Sequence, residues 1–395
     1  MPGAAAVRPG TNRRTLGGLA LAGMFVFGIV IALVGALVPS LSARLDLTLG
    51  DVGTLFLAMN FAMLVASITI GLVVDRFGLK PPLVAGSALV ALGLLLVAAA
   101  ADRALRLLAL VCLGFGGGLV NGSANTLAAD LHDDPQQKAA ALNLLGVIYG
   151  FGALMLPFSV GVLTAWLGVG APLGGAAALC LVVTGVAAAQ PFPAPKQRMG
   201  WPLAAIPRFL TTPAVLALGG LLFFQSGNEF ALGGYIAAFL TRDMQLSADA
   251  ASYALAGYWG AIMVARLTLT RLLLVVSAPS VVLGSAVLSV LAAGFLALAP
   301  SPALAVAAAI VMGLALAGTF PTVLGMAGAK FEQHSGTVFG ILFTMALSGG
   351  MLVPWAAGHL ADAAGVRAVF VLAAANFVGV AVLSVAARIF LRRND

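Results

Sequence analysis

Gly71-Leu-Val-Val-Asp75-Arg76-Phe-Gly78-Leu-Lys80 stands between two long apolar stretches of this chain. An apolar stretch of about twenty residues in lipid must be a helix, because only a helix satisfies its own backbone hydrogen bonds there. The quoted segment is therefore predicted to be a tight connection between two membrane helices. Gly71 allows close helix approach, Gly78 allows the turn, and Asp75 can lie against a helix N-terminus. Arg76 and Lys80 predict that the connection faces the cytoplasm.

An ordinary short cytoplasmic loop would also contain glycine and basic residues, and that interpretation stays open. The spacing G-x-x-x-D-R-x-G-x-K after a second apolar stretch resembles the signature loop of the major facilitator superfamily. The resemblance implies a membrane transporter, and it implies a gating role for the five quoted residues, with Asp75 holding the cytoplasmic side closed. The rest of the chain can test this hypothesis.

The composition indicates a membrane protein. The chain is 62% hydrophobic and 8% charged, with a mean hydropathy of +1.10, whereas a soluble protein has roughly a quarter charged residues. The net charge of +7 does not indicate a nucleic-acid partner, since the basic residues lie in short loops between apolar stretches. Cys112, Cys180 and the three histidines show no metal-ligand spacing. We therefore expect no metal, no cofactor and no enzymatic activity; the predicted partners are the lipid bilayer and a small molecule.

Twelve apolar spans can be counted, which predicts an all-α integral membrane protein of twelve transmembrane helices. They run near 16–41, 51–74, 81–101, 106–130, 139–166, 171–190, 212–240, 250–273, 279–299, 303–327, 336–361 and 367–391. The proline-rich and basic segment 191–211 interrupts the pattern and is predicted to be a cytoplasmic linker. It separates an N-terminal half, 1–190, from a C-terminal half, 212–395, each with six helices.

The second half repeats features of the first. Asp51 opens span 2, and Asp249 opens span 8, 198 residues later. A glycine–proline–glycine motif with the same spacing occurs in spans 5 and 11, at Gly152, Pro157 and Gly161 and at Gly349, Pro354 and Gly358. Two parallel pseudo-symmetric halves are typical of this transporter architecture. Coincidence among 48 glycines is the alternative explanation.

The distribution of lysine and arginine predicts the orientation. Of twenty such residues, fifteen fall toward one side of the predicted bundle, including Arg266 within span 8, and five toward the other, so the bias holds even if Arg266 is discounted. The side with more positive charge faces the cytoplasm. We therefore expect a multi-pass protein of the inner membrane with both termini in the cytoplasm.

Glu229 is the one carboxylate that lies well inside a span. An ionisable residue within a membrane helix has a high free-energy cost, and it therefore marks a functional site by default. Gln225 lies four residues earlier on the same helix face, and Asn228 is adjacent, so this face of span 7 could bind hydroxyl groups. Glu229 is predicted to carry the coupling proton, with sodium as an alternative ion. A structural glutamate bonded to a neighbouring helix is the other interpretation.

Arg266 in span 8 is the matching basic residue. From the helical rise, we expect Glu229 and Arg266 to lie about 10–12 Å apart in depth, which predicts no permanent direct salt bridge. Arg266 could instead act as a gate or as a topology anchor near the cytoplasmic end.

Further polar and aromatic side chains suit a polyol such as a sugar. Asn121 and Asn125 share one face of span 4, and Tyr149 lies in span 5. Trp259 and Trp355 are plausible walls, because sugars stack their apolar ring faces on aromatics. Helix–helix contacts are the alternative role for the asparagines. In span 10, Phe320-Pro321-Thr322 is predicted to break the helix and to open a carbonyl for bonding or gating.

Four short segments resemble the fucose–proton symporter family and related glucose/galactose transporters. They are Asn121-Gly-Ser-Ala-Asn125, Ala-Leu-Asn143-Leu-Leu-Gly-Val-Ile-Tyr-Gly150-Phe-Gly152-Ala-Leu, Glu229-Phe-Ala-Leu-Gly233-Gly234-Tyr235 and Thr319-Phe320-Pro321-Thr322. Proton-coupled members carry carboxylates in the first and fourth helices, and this sequence has none within those spans. Glu229 would have to replace them, or transport is uncoupled or driven by sodium.

The sequence therefore predicts a monomeric secondary transporter that imports a sugar or other small polar solute with a proton. A drug or metabolite exporter is the alternative. Exporters of the superfamily share a glycine–proline motif on the fifth helix, which this chain matches partly, since Leu156 stands where glycine is expected. A non-transporting receptor or scaffold is a third possibility, but it would not require a polar face at mid-membrane.

Overall fold

The computed structural model describes residues 13–45, 47–99, 102–132, 134–193, 206–331 and 335–392. All regular elements in these ranges are α-helices. They are α1 (Arg13–Leu45), α2 (Leu49–Phe77), α3 (Lys80–Ala99), α4 (Arg103–Asp130), α5 (Pro135–Leu167), α6 (Gly170–Ala189), α7 (Ile206–Leu210), α8 (Pro213–Arg242), α9 (Ala248–Val275), α10 (Ala278–Leu298), α11 (Pro302–Leu316), α12 (Thr319–Lys330), α13 (Ser335–Ala364) and α14 (Arg367–Arg392).

Twelve segments in the described ranges are long and apolar enough to cross a membrane. The helices α11 and α12 together make one of these segments, and the five-residue α7 belongs to none. The predicted fold class is therefore confirmed, and the chain is a multi-pass membrane protein. Its helices satisfy their own backbone hydrogen bonds, which is the condition for crossing lipid.

Several of the acids that the sequence places at span ends begin helices. The side chain of Asp102 accepts a hydrogen bond from the N–H of Leu105 at the start of α4. Asp134 accepts one from Gln137 at the start of α5. Such N-caps satisfy N–H groups that have no partner within the helix, and the negative charge favours the positive end of the helix dipole. These acids therefore have a structural role outside the membrane interior.

The connection around residues 71–80 is as short as predicted. The helix α2 ends at Phe77 and α3 begins at Lys80. Gly78 has a φ of +81° and donates its N–H to the carbonyl of Val74 at 2.8 Å. This left-handed conformation favours glycine because it has no Cβ. The guanidinium of Arg76 lies 5.2 Å from the centre of the Phe77 ring.

The helices group into two compact units. The first comprises residues 1–33 and 61–200, and the second comprises 34–60 and 201–395. The second unit therefore includes the last part of α1 and the first part of α2. The boundaries predicted for the two six-helix halves stay a prediction. Most of the predicted linker 191–211, residues 194–205, lies outside the described residues.

One helix contact occurs in both units at corresponding positions. In the first unit, a methyl group added to Gly152 in α5 would collide with the carbonyl oxygen of Phe25 in α1. In the second unit, a methyl group on Gly349 in α13 would collide with the carbonyl of Phe223 in α8. The two glycines are 197 residues apart and the two phenylalanines 198, so the repeat read from the sequence corresponds to a repeated contact.

Candidate functional site

The polar face of α8 is buried within the second unit. Gln225 is 1% exposed, Asn228 is 0% exposed and Glu229 is 7% exposed. Buried polar groups are retained only where hydrogen bonds or ion pairs compensate for the loss of water. Each of these three side chains reaches a different neighbouring helix.

Glu229 forms an ion pair with Arg266 of α9. Nη2 of Arg266 lies 3.4 Å from Oε1 of Glu229, and the two side chains are 14% and 9% exposed. The two side chains are therefore in direct contact in this structure, and the expectation that the salt bridge is not permanent stays a prediction. The expected separation of about 10–12 Å followed the helix axes, whereas the long arginine side chain carries its charged head away from its own backbone position. An opposite charge at this distance compensates for the burial of both groups.

Gln225 contacts the interruption of the tenth span. Its Nε2 donates a hydrogen bond of 3.0 Å to the carbonyl oxygen of Leu316, the last residue of α11. The following helix α12 begins at Thr319, so the chain breaks slightly before the predicted Phe320-Pro321-Thr322 segment. Pro321 lies in the first turn of α12, where its missing N–H has no cost. The interruption leaves a carbonyl that Gln225 satisfies.

Asn228 is held by α14. Its Oδ1 accepts a hydrogen bond of 3.0 Å from Nδ2 of Asn376, and its own Nδ2 donates to the carbonyl of Ala373 at 3.5 Å. These contacts join α8 to α14 and match the helix-packing role of membrane amides. Asn376 was not among the predicted site residues. Its signal in the sequence is an amide within an otherwise apolar span.

Two aromatic residues of α9 pack beside the ion pair. The hydroxyl of Tyr258 lies 3.4 Å from the backbone oxygen of Glu229, so it contacts the same turn of α8. The Trp259 ring is 1% exposed and stands edge-on to Tyr258, with 5.3 Å between ring centres. A methyl group on Gly233 would approach the Trp259 ring to 2.8 Å. Trp259 therefore packs directly against α8.

The predicted polar residues of the first unit contact one another. Nδ2 of Asn125 donates to the backbone oxygen and to Oδ1 of Asn121, both at 2.9 Å. The same amide lies 3.6 Å from the sulfur of Met24 in α1. The Tyr149 ring lies 5.6 Å from Phe27. Their predicted contact with a substrate stays a prediction.

The remaining predicted residues lie in or beside α2, α3 and α13. Trp355 of α13 is 40% exposed, and its ring lies 4.8 Å from that of His359. Gly71 lies six residues before the end of α2, Lys80 begins α3, and Arg76 is exposed. The side chain of Asp75 lies outside the described part of the structure, so its gating role stays a prediction. No group of three metal-binding side chains occurs within the described ranges.

Comparison with known proteins covers most of the chain. Two curated proteins of Brucella abortus, from biovar 1 strain 9-941 and from strain 2308, are each called a glucose/galactose transporter. Each is 26% identical over 375 residues, which is 88% of this chain and 88% of the relative.

Two crystal structures have the same fold. The nucleoside transporter NupG has a TM-score of 0.79 at 15% identity, and the match covers 96% of this chain and 99% of NupG. The E. coli fucose:proton symporter FucP has a TM-score of 0.68 at 19% identity, over 95% and 98% of the two chains. The sequence profile of the Major Facilitator Superfamily matches residues 20–226 and 218–395. The protein therefore belongs to the Major Facilitator Superfamily and is a transporter.

Proposed function

We propose that this transporter imports a sugar or a related small polar solute together with a proton, by alternating access. The two relatives called glucose/galactose transporters support the substrate class, since they match along 88% of the chain. The buried amide of Gln225 supports a ligand rich in hydroxyl groups, because such a ligand offers both donors and acceptors.

The observation that carries the proposal is the ion pair between Glu229 and Arg266. A charged side chain left unpaired in a membrane interior is costly, whereas a paired glutamate or a protonated one is tolerated. Protonation of Glu229 would remove its charge and release the guanidinium of Arg266. Arg266 would then donate hydrogen bonds to the oxygens of a bound sugar.

The reverse step links substrate release to proton release. When Glu229 loses its proton, it attracts Arg266 again and withdraws the guanidinium from the sugar. The empty and loaded transporter would thus each keep Arg266 satisfied, either by Glu229 or by substrate. This exchange of partners makes Glu229 the coupling group in the absence of a carboxylate within spans 1 and 4.

The experiment compares two transport assays on the Glu229→Gln variant in proteoliposomes. Glutamine keeps the size and the hydrogen-bonding capacity of glutamate but cannot titrate. We expect exchange between two sugar-loaded compartments to persist, and accumulation driven by a pH gradient to disappear. Asp249→Asn is the matched control, because Asp249 is an acid in the first turn of α9, away from the ion pair.

Two results would contradict the proposal. Proton coupling would be excluded if sugar uptake by the unaltered protein is independent of the pH gradient and depends on a sodium gradient instead. Accumulation by Glu229→Gln on a proton gradient would assign the proton to another residue. A thermal-shift screen of the purified protein against sugars, amino acids, carboxylates and drugs would test the substrate class independently of coupling.

A further inference from the structure

The start of α2 is capped by a residue of a distant helix. The N–H groups of Leu49 and Gly50 donate to the two carboxylate oxygens of Asp362 in α13, each at 2.8 Å. The first N–H groups of a helix have no partner within it, and a negative charge there interacts favourably with the helix dipole. One carboxylate therefore satisfies two of these groups across 313 and 312 residues of sequence.

A buried tyrosine of α8 joins the same two helices. The hydroxyl of Tyr235 lies 3.1 Å from the carbonyl oxygen of Leu49 and 2.9 Å from that of Pro354, so its proton is shared between α2 and α13. Its side chain is 0% exposed. Removal of the hydroxyl would leave these two carbonyls without their common donor.

Close backbone approach makes the contact specific. A methyl group on Gly358 in α13 would collide with the carbonyl oxygen of Leu49 and with the hydroxyl of Tyr235. A methyl group on Gly53 in α2 would lie 2.9 Å from the carbonyl oxygen of Pro354. Both positions therefore require glycine if α2 and α13 are to meet in this way.

The contact is also reversible on physical grounds. Asp362 is exposed, so water can replace its hydrogen bonds to Leu49 and Gly50 with little desolvation cost when the helices separate. The α2 terminus keeps a local cap of its own, since the hydroxyl of Thr48 accepts a hydrogen bond of 3.1 Å from the N–H of Asp51, and the Asp51 carboxylate accepts one of 3.2 Å from the N–H of Thr48. Separation would therefore leave α2 intact.

We propose that Asp362, Tyr235, Leu49 and Gly50 form a lock that holds this end of the transporter closed and must break when it opens. The distribution of basic residues predicts that this end, opposite to the Gly71–Lys80 connection, faces outside. The proposal rests on the alternating access of the proposed function, and it adds the groups that control one of its two openings.

Cysteine labelling of the purified protein tests the lock without substrate or gradient. The background carries Cys112→Ser and Cys180→Ser, and the reporter is Val52→Cys, since Val52 is 1% exposed in α2 beside Gly53. In this background we expect Asp362→Ala to raise the rate of reaction with a water-soluble maleimide by about fivefold or more, the scale of losing the hydrogen bonds that join α2 to α13. Asp51→Ala removes a carboxylate that bonds Thr48 of the same terminus and does not bridge to α13, so we expect its rate to stay within about twofold of the reference.

The variant Tyr235→Phe tests the second contact of the lock. It keeps the ring and removes the hydroxyl, and we expect a smaller increase in the labelling rate than in Asp362→Ala.

Unchanged labelling rates in both Asp362→Ala and Tyr235→Phe would show that these residues do not form a lock. An equal increase in Asp51→Ala would show the same. If labelling rises as expected but no sugar binds, the lock stands and the proposed substrate fails. If labelling is unchanged while Glu229→Gln behaves as expected, the proposed function stands and the lock fails.

Discussion

Gly35 of α1 lies directly against the carbonyl oxygen of Gly233 in α8, 198 residues further along the chain. The same offset separates Asp51 from Asp249. The two glycines therefore occupy corresponding positions of the repeat and also touch each other. The absence of a side chain on Gly35 allows the backbones to meet there.

The first prediction is that Gly35→Ala destabilises the protein. The added methyl group would collide with the carbonyl of Gly233, and overpacking of this kind costs about 1–3 kcal/mol. We expect a lower melting temperature in a detergent-based thermal unfolding assay. Gly17→Ala in the same helix is the control, because within the described ranges no atom of a neighbouring helix lies within 4 Å of the added methyl group. An equal loss in both variants would exclude the close contact as the cause.

The second prediction concerns the energy of the Glu229–Arg266 pair. Removal of one partner from a buried ion pair leaves an uncompensated charge and costs about 3–5 kcal/mol, and less where the pair is partly exposed. We expect Glu229→Gln and Arg266→Gln each to lower stability, and the double variant to be more stable than the sum of the two losses predicts. A thermal-unfolding cycle measures this coupling, for which we expect about 1–3 kcal/mol. Additive losses would show that the two side chains do not interact in the membrane.

The third prediction is that Asp75→Asn impairs transport. Asp75 lies two residues before the end of α2, close to the turn at Gly78, and the resemblance to the superfamily's signature loop predicts that its charge holds the cytoplasmic side closed. Asparagine keeps the shape and removes the charge. We expect a lower initial rate of sugar uptake at equal expression, with Asp102→Asn as a control at a helix start elsewhere. Normal sugar uptake by the Asp75→Asn variant would show that the charge of Asp75 has no role in gating.

Much of the fold follows from the sequence, because a chain in lipid must satisfy its backbone hydrogen bonds internally and few conformations do so. Twelve apolar spans had to become helices, and Gly78 between two of them had to form a turn. The glycine–proline–glycine spacing that spans 5 and 11 share indicated the repeat. Its glycines Gly152 and Gly349 also mark places where membrane helices meet closely, as small residues do. The buried amide and acid of Gln225 and Glu229 were visible as polar residues within an apolar span.

The partners of those polar residues could not be predicted in the same way. Periodicity places a residue on a helix face, but it does not give the tilt of the helix or the direction of a long side chain. Glu229 and Arg266 consequently meet in this structure, although the rise per residue places their backbones at different predicted depths. Asp362 had no visible role, because its partners are backbone N–H groups of α2 that no sequence pattern identifies.

The last prediction separates two roles of Gln225. Its Nε2 donates to the carbonyl of Leu316, where α11 ends. Gln225→Ala removes the donor and leaves that buried carbonyl unsatisfied, which should weaken both stability and sugar affinity by about 1–3 kcal/mol. Gln225→Glu is nearly the same size but, when ionised, places a negative oxygen against the carbonyl, so we expect it to be worse than alanine in both respects.

Isothermal titration with sugar and thermal unfolding together decide between the roles. A residue that only supports the α11 end would lower stability while the remaining folded protein binds sugar normally. A residue that also binds the ligand would lower the affinity of the folded protein. Asn143→Ala is the control, since Asn143 is an exposed amide of α5. Unchanged sugar affinity in Gln225→Ala and Gln225→Glu would place the binding site elsewhere, whatever their stability.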